Sequence, residues 1–450
     1  MGIARTVPQA PGALPLLGHG LALRRDPLAF MMSLPAHGGL VQIKVGPVSA
    51  LVVCDPDLAQ QVLVDDRTFD KGGMLIERVR EGLGNGLGTC PHGDHRRQRR
   101  LTQPAFHAQR MPAYAETMTR EVSQAIGRWK EGQSIDVLAD MQAITARTTM
   151  ATMFADAPSS DLASLLASFN TFSHGIYKRM LLPHPLDTLP IPANRRYHQA
   201  RAHLQQAIAA IIEDHRTRDT RGAGGTDLLS MLLAASDDDG RHLSDSEIAD
   251  QVMSFFFGGI ETTAASLAWA LHEIARNPDI EGRLHAEVDT VLPAGTAATF
   301  DLLPQLEYTG RIITETLRRY PPGWLLTRIT TTDTHLDGHQ IAKGTTVVCS
   351  PYLIHHQPAL HPEPERFDPD RWKGQNTKGR NGALIPFGGG ARKCIADTFS
   401  MTEATLALAT ITARWRLTHT TDQDVTPVLG AILNPHGLTM RTAVRNTPHV

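Results

Sequence analysis

Apolar and polar positions recur with readable periods along most of the chain. Leu40-Val41-Gln42-Ile43-Lys44-Val45, a Gly46-Pro47 turn and Ala50-Leu51-Val52-Val53-Cys54 predict a β-hairpin. Asp55-Pro56 then opens a helix through Val64, because proline suits the first helical position. The stretch before the hairpin, Pro8 to Gly20, is rich in proline and glycine and reads as irregular and extended. Asp70 to Thr89 holds six glycines and little periodicity, which predicts a loop with one helical turn. From Ala113 to Arg218 the pattern is mainly helical, with breaks at Ala157-Pro158 and at Leu182 to Pro192. Within it Phe169, Phe172, Ile176 and Tyr177 recur at helical spacing, a stripe that is usually plain core. Ser244-x-x-Glu247 is a capping box, and the helix it starts need not stop before Asn277-Pro278. Such a helix of about 30 residues is about 45 Å long. Asp250, Gln251 and Glu261 interrupt its apolar face, so it reads as a buried central helix and not a membrane span. Tyr308 to Arg319 is a helix stopped by Pro321-Pro322, and Gly323 to Arg328 an extended strand. Alternation sends Leu325 and Thr327 one way, Leu326 and Arg328 the other.

Three places on this framework carry candidate chemistry. In Phe387-Gly388-Gly389-Gly390-Ala391-Arg392-Lys393-Cys394, a cysteine ends a glycine-rich loop and precedes a helix from Asp397. Backbone N–H groups and the positive helix end stabilise a thiolate there, and Arg392 adds a fixed positive charge for a carboxylate of whatever the sulfur binds. A lone cysteine after such a loop is more often inert. In the long helix, Gly258-Gly259-Ile260-Glu261-Thr262-Thr263 places two glycines at a helix interior, at a cost of roughly 0.5–1 kcal/mol each. The Thr262 hydroxyl, four residues after Gly258, reaches that carbonyl and opens a groove, and an acid beside an alcohol there is a proton-delivery pair. The bland alternative is close helix packing at the glycines with Glu261 in a salt bridge. Third, His95 and Arg99 in His95-Arg96-Arg97-Gln98-Arg99-Arg100 share a helical face and can donate to one pair of carboxylates, although a basic run is most often a solvated face.

Composition narrows the class. A net charge of −2 gives no support for nucleic-acid binding. With 450 residues, 41% of them hydrophobic, and no linker, repeat or low-complexity tract, the chain reads as a single domain over 1–450, with a β-rich part at about 35–70. Four cysteines without C-x-x-C spacing argue against a disulfide framework or zinc knuckle and fit a reducing, cytoplasmic setting. No early apolar run has the length of a signal peptide or membrane anchor.

Together these motifs resemble the cytochrome P-450 family. Phe387, Gly390, Arg392 and Cys394 fall on its haem loop F-x-x-G-x-R-x-C-x-G, with Ala396 in place of the last glycine, and Gly258 to Thr263 match its oxygen-activation motif. The resemblance implies a mainly α fold with a smaller β region (α+β), with haem b sandwiched between the long helix and the Cys loop. It makes Cys394 the iron ligand, His95, Arg99, Arg328 and Arg392 the propionate partners, and Glu261 and Thr262 the proton relay. Glu315, Arg318 and the Arg366 of Pro364-Glu365-Arg366-Phe367 become a buried structural triad. Met74, Ile76, Phe172, Ile176, Phe257, Leu325, Leu326, Ile432 and Leu433 become substrate lining. The implied activity is insertion of one oxygen atom of O2 into a C–H bond of an apolar terpene or polyketide in secondary metabolism, with electrons from a ferredoxin and its reductase. Arg96, Arg97 and Arg100 offer a positive surface to such a donor. The expected protein is a monomer of the soluble bacterial type, and the alternatives are a peroxide-driven peroxygenase and a non-catalytic haem-binding sensor.

Overall fold

The hairpin forms as its pattern dictates: β1 (Leu40–Val45) pairs antiparallel with β2 (Val48–Val53), and Val45 meets Val48 across Gly46-Pro47. The computed structural model describes residues 6–154, 162–181, 187, 189–219, 227–293, 296–375, 383–421 and 425–445. The expected break at Ala157-Pro158 and most of the one at Leu182 to Pro192 lie outside them. The chain gathers into two compact units. One comprises residues up to Glu77, Thr89–Asp94 and Leu317–Cys394, and the other Arg78–Gly88, His95–Thr316 and the residues from Ile395 on.

In the first unit a short helix, α1 (Gly20–Arg25), precedes the hairpin and α2 (Pro56–Val64) follows it. The Asp55 carboxylate caps α2, accepting from the N–H groups of Asp57 and Leu58 at 2.9 and 3.0 Å. The sheet is completed by β3 (Phe69–Asp70), β4 (Leu326–Thr330) and β5 (Thr346–Cys349) in the order β1-β2-β5-β4-β3. β2 and β5 are parallel, and the other pairs antiparallel. The β region therefore takes three strands from the start of the chain and two from more than 250 residues later, which local alternation does not announce. Val41, Val52, Val53, Val347 and Cys349 are buried, on both faces of the sheet.

The Asp70 to Thr89 stretch corrects the loop expectation: Gly73–Leu83 is an eleven-residue helix, α3. Glycines at 72, 73, 82 and 84 bracket it and hide the helical spacing of Ile76, Val79 and Leu83 between them. The basic segment is α4 (His92–Thr102).

The second unit is helical. α5 (Val137–Met153), α6 (Leu162–Leu181), α7 (Pro192–Asp219) and α8 (Asp245–Arg276) are followed by α9 (Glu307–Arg319), whose last residues belong to the first unit, and by α10 (Asp397–Arg414). α8 is 32 residues long and starts at the expected capping box: Ser244 N–H donates to Glu247 Oε2 at 2.8 Å, and Glu247 N–H to Ser244 Oγ at 3.3 Å. It packs along α5 and α10. A three-stranded sheet of Ser134–Asp136, Thr439–Val444 and Trp415–His419 closes the unit, built on inward Trp415 and Leu417.

Candidate functional site

In the first unit the glycine-rich loop is held so that its cysteine points outward. Cys394 is exposed, whereas Cys54, Cys90 and Cys349 are buried. Burial pushes the thiols of Cys54 and Cys349 up to about 12, which makes them inert. The Cys394 N–H donates to the Phe387 carbonyl at 2.9 Å, closing the loop through Gly388 and Gly390, both at positive φ. Gly390 is also sterically required: a Cβ there would stand 2.3 Å from the Leu63 carbonyl oxygen at the end of α2.

Cations crowd the same unit. Arg392 Nη2 donates to Asp70 at 2.6 Å and Nη1 to the Cys90 carbonyl at 2.8 Å. Its Nε makes no hydrogen bond and lies 3.7 Å from Asp66. Arg328, buried on β4, donates from Nη1 to the Thr327 carbonyl at 2.9 Å, and its buried Nε has no partner. Burial, and then the Arg392 charge, hold its guanidinium below its ordinary value. Lys71, which the sequence reading passed over, completes the group. Burial first, and Arg328 and Arg392 after it, push its ammonium down to about 7 even though part of the residue stays at the surface. Its only advertisement in the sequence is its place after Asp70.

The structural triad differs from expectation. Glu315 and Arg318 are fully buried, and Arg318 donates to the carbonyls of His355 at 3.1 Å and Arg366 at 3.4 Å. The Arg366 side chain, however, is 64% exposed and pairs with Glu363 at 3.4 Å, so its carbonyl and not its guanidinium serves the buried arginine. His355 takes the central place: its Nδ1 meets the Arg318 carbonyl at 3.1 Å, and its Nε2 accepts the Ile385 N–H at 2.8 Å. Burial lowers its pKa well below the usual range, so it stays neutral and ties α9 to the segment leading into the cysteine loop.

In the second unit Thr262 Oγ1 donates to the Gly258 carbonyl at 2.5 Å, the bond anticipated from spacing. The two glycines play different parts. A Cβ on Gly259 would come 2.9 Å from Thr149 Oγ1 on α5, which is close packing; one on Gly258 meets nothing within 4 Å. Gly258 is exposed and Thr262 half-buried on a helix otherwise buried from Thr263 to Ile274. Glu261 is buried, which raises its carboxyl above the ordinary range; the Ser173 hydroxyl on α6 and the His174 charge partly oppose this. No salt bridge holds it among the described residues. A second acid went unread: Glu403 on α10 is fully buried, neither oxygen has a partner in hydrogen-bonding geometry, and burial lifts it to about 8. Thr148 and Thr263 lie beside it, and Thr263 Oγ is 3.1 Å from Ser400 Oγ.

On α4, His95 is buried and Arg99 half-buried on the shared face, with Arg99 Nε donating to Gln103 at 3.2 Å. The other basic residues are largely committed within the unit. Arg97 binds Asp237 at 2.8 Å and Glu247 at 2.7 Å, and Arg100 pairs with Asp238. Arg96 and Arg100 remain exposed, Arg100 within a surface ion pair. Among the proposed lining residues, Phe172 stacks on Tyr197 with ring centroids 5.5 Å apart, and Ile176 is buried in the same cluster. Ile432 and Leu433 are buried, and the Leu433 carbonyl accepts from the Trp269 indole at 3.1 Å. Phe257, Ile76, Leu325 and Leu326 are half-buried, and the Met74 side chain lies outside the described residues.

Comparison with known proteins agrees with this inventory. The chain is 45% identical to a pentalenene oxygenase of Streptomyces avermitilis over 439 residues, 97% of each chain. It is 47% identical to a cyclooctatin synthase of Streptomyces melanosporofaciens over 412 residues (91% of this chain, 89% of that one). A cyclooctat-9-en-7-ol 5-monooxygenase of the same organism is 44% identical over 416 residues, 92% of this chain and 90% of that one. The cytochrome P450 family pattern matches residues 8–441. An exposed thiol on a glycine loop, a Thr262 hydroxyl bonded to the Gly258 carbonyl in the long helix, and a match over nearly the whole length make the chain a monooxygenase of the cytochrome P450 family.

Proposed function

We propose that this chain oxidises an apolar terpene, as the names of its relatives indicate for them, using haem b held by Cys394. The residues present fit that group. An exposed sulfur suits an iron, and Arg328 and Arg392, which share Asp66 and Asp70 and whose Nε atoms make no hydrogen bond among the described residues, suit its carboxylates with Lys71 beside them. His95 and Arg99 add donors from α4. Bound through a thiolate, the haem supplies activation of dioxygen. Thr262 presents a hydroxyl whose own proton is engaged by Gly258, so its oxygen is fixed as an acceptor for an incoming donor. Glu261, whose burial favours the protonated form of its carboxyl, stands one residue away as a proton donor, and Ser173 bonds to that carboxyl. Phe257, packed against the cluster that holds Phe172 and Ile176, offers apolar surface to the substrate; Leu325, Leu326, Ile432 and Leu433 are further apolar candidates.

The single observation that carries the reading is the exposure of Cys394 on a loop whose Gly390 cannot bear a side chain. Replacement Cys394→Ala tests it: the purified protein is expected to lose the red-shifted reduced-CO absorption that thiolate ligation produces, and its retention would sink the assignment. Electrons come from a ferredoxin and its reductase, in the cytoplasm, to a monomer. Turnover with hydrogen peroxide alone would point instead to a peroxygenase, and haem binding without any NADPH-dependent product to a sensor.

A further inference from the structure

Pro11-Gly12-Ala13-Leu14-Pro15-Leu16-Leu17 are all exposed, seven consecutive residues without a polar side chain. Leu14 is 45% exposed, Leu16 94%, Leu17 52% and nearby Leu21 52%; they are four of the ten large apolar side chains left exposed among the described residues. Val45, a fifth at 39%, adjoins them, because Gly46 N–H donates to the Leu17 carbonyl at 3.2 Å and Gly18 bridges to Val45. The display is rigid. Leu14 and Gly18 exchange backbone hydrogen bonds at 2.8 and 2.9 Å, His19 N–H donates to the Lys44 carbonyl at 2.6 Å, and the buried His19 ring reaches the Ala10 carbonyl at 3.0 Å. At the tip, Leu16 has a φ of 63°, a left-handed conformation that asparagine or glycine adopts readily and leucine does not. Leucine there is unfavourable for the turn and for solubility alike, and at 94% exposure it has little contact among the described residues to offset either.

Around this tip the exposed charges are Lys44, Arg24 and Arg25; the Asp26 carboxylate, also exposed, is engaged by the Ala29 N–H at 2.9 Å. We propose that the leucine turn is a peripheral membrane contact, seating its apolar tip in the surface of a bilayer while the cationic rim meets anionic headgroups. Apolar tip plus basic rim is the complement of such an interface. A second copy of the chain fits less well, because an isologous contact would bring the three cations against their own copies.

Flotation of the haem-loaded full chain with phosphatidylglycerol vesicles and with phosphatidylcholine vesicles tests this. Expected are association with the anionic vesicles, weaker association with the zwitterionic ones, and release as salt is raised. Leu16→Asn with Leu17→Ser should lower the affinity about tenfold, and Arg24→Gln with Arg25→Gln should bring anionic vesicles down to the zwitterionic level. Leu16→Asn alone should leave thermal stability equal or higher, so its loss of binding would not be misfolding. No association with either vesicle, or equal binding by wild type and the leucine variants, would overturn the proposal. So would a concentration-dependent dimer abolished by Leu16→Asn, which makes a second copy the occupant. Tighter binding after deletion of residues 2–5 would do the same by making that segment the cover.

Discussion

Near Cys394 the first unit crowds Lys71, Arg328 and Arg392 around two aspartates, whereas along α8 the second unit buries two acids, Glu261 and Glu403, without a cation in contact. One region concentrates positive charge and exposes a sulfur; in the other, burial raises both carboxyls and so favours their protonated forms. The difference teaches how one chain serves two demands: anionic groups are held where cations are concentrated, and protons are kept where charge is excluded. The same contrast runs through the glycines. Gly390 is forced by neighbouring backbone, and Gly258 by nothing among the described residues.

Substitutions break that comparison at graded strengths. Gly390→Ala combines a φ of 62° with a clash against the Leu63 carbonyl and should destabilise the first unit by about 3 kcal/mol, read as a lowered melting temperature and haem content. Unchanged melting would mean the loop has other room. Glu403→Gln acts through pH. The native carboxyl, raised to about 8, contributes stability that is fully present below its unfolded value and is lost as pH rises through about 8. The variant should therefore gain relative to wild type between about pH 5 and about pH 8, by on the order of 4 kcal/mol; parallel melting curves across that span would show that Glu403 ionises freely. Thr262→Ala should leave haem content intact while product per NADPH falls about tenfold and hydrogen peroxide rises. Equal coupling would remove the hydroxyl from the proton route. The smallest effect belongs to Gly258→Ala, expected to stabilise α8 by roughly 0.5–1 kcal/mol, since an added Cβ meets nothing within 4 Å among the described residues, while slowing oxidation if the proposed site lies there. Lower stability would place an unseen neighbour there.

What could be read from the sequence was local. The hairpin, the Asp55 cap, the Ser244–Glu247 box and the Thr262–Gly258 bond each depend on residues within a few positions, so spacing alone specifies them. The misreadings came from distant partners. Arg97 and Arg100 look like a free basic face until Asp237, Asp238 and Glu247, some 140 to 150 positions on, neutralise it. Arg366 is the local exception: it carries the expected motif, but its side chain is exposed and pairs with Glu363 three positions earlier. Lys71, His355 and Glu403 sit in no pattern at all; burial defines them, and burial is a property of the assembled fold.

Glu247 closes the capping box of α8 and at the same time grips Arg97 of α4. One carboxylate thus both initiates a helix and moors it, about 22 Å along the axis from Thr262 at 1.5 Å per residue. Glutamine in its place would still start the helix but release the mooring, while alanine would forfeit both. Nucleation and anchorage, normally fused in a native protein, are separable here at a single atom's charge.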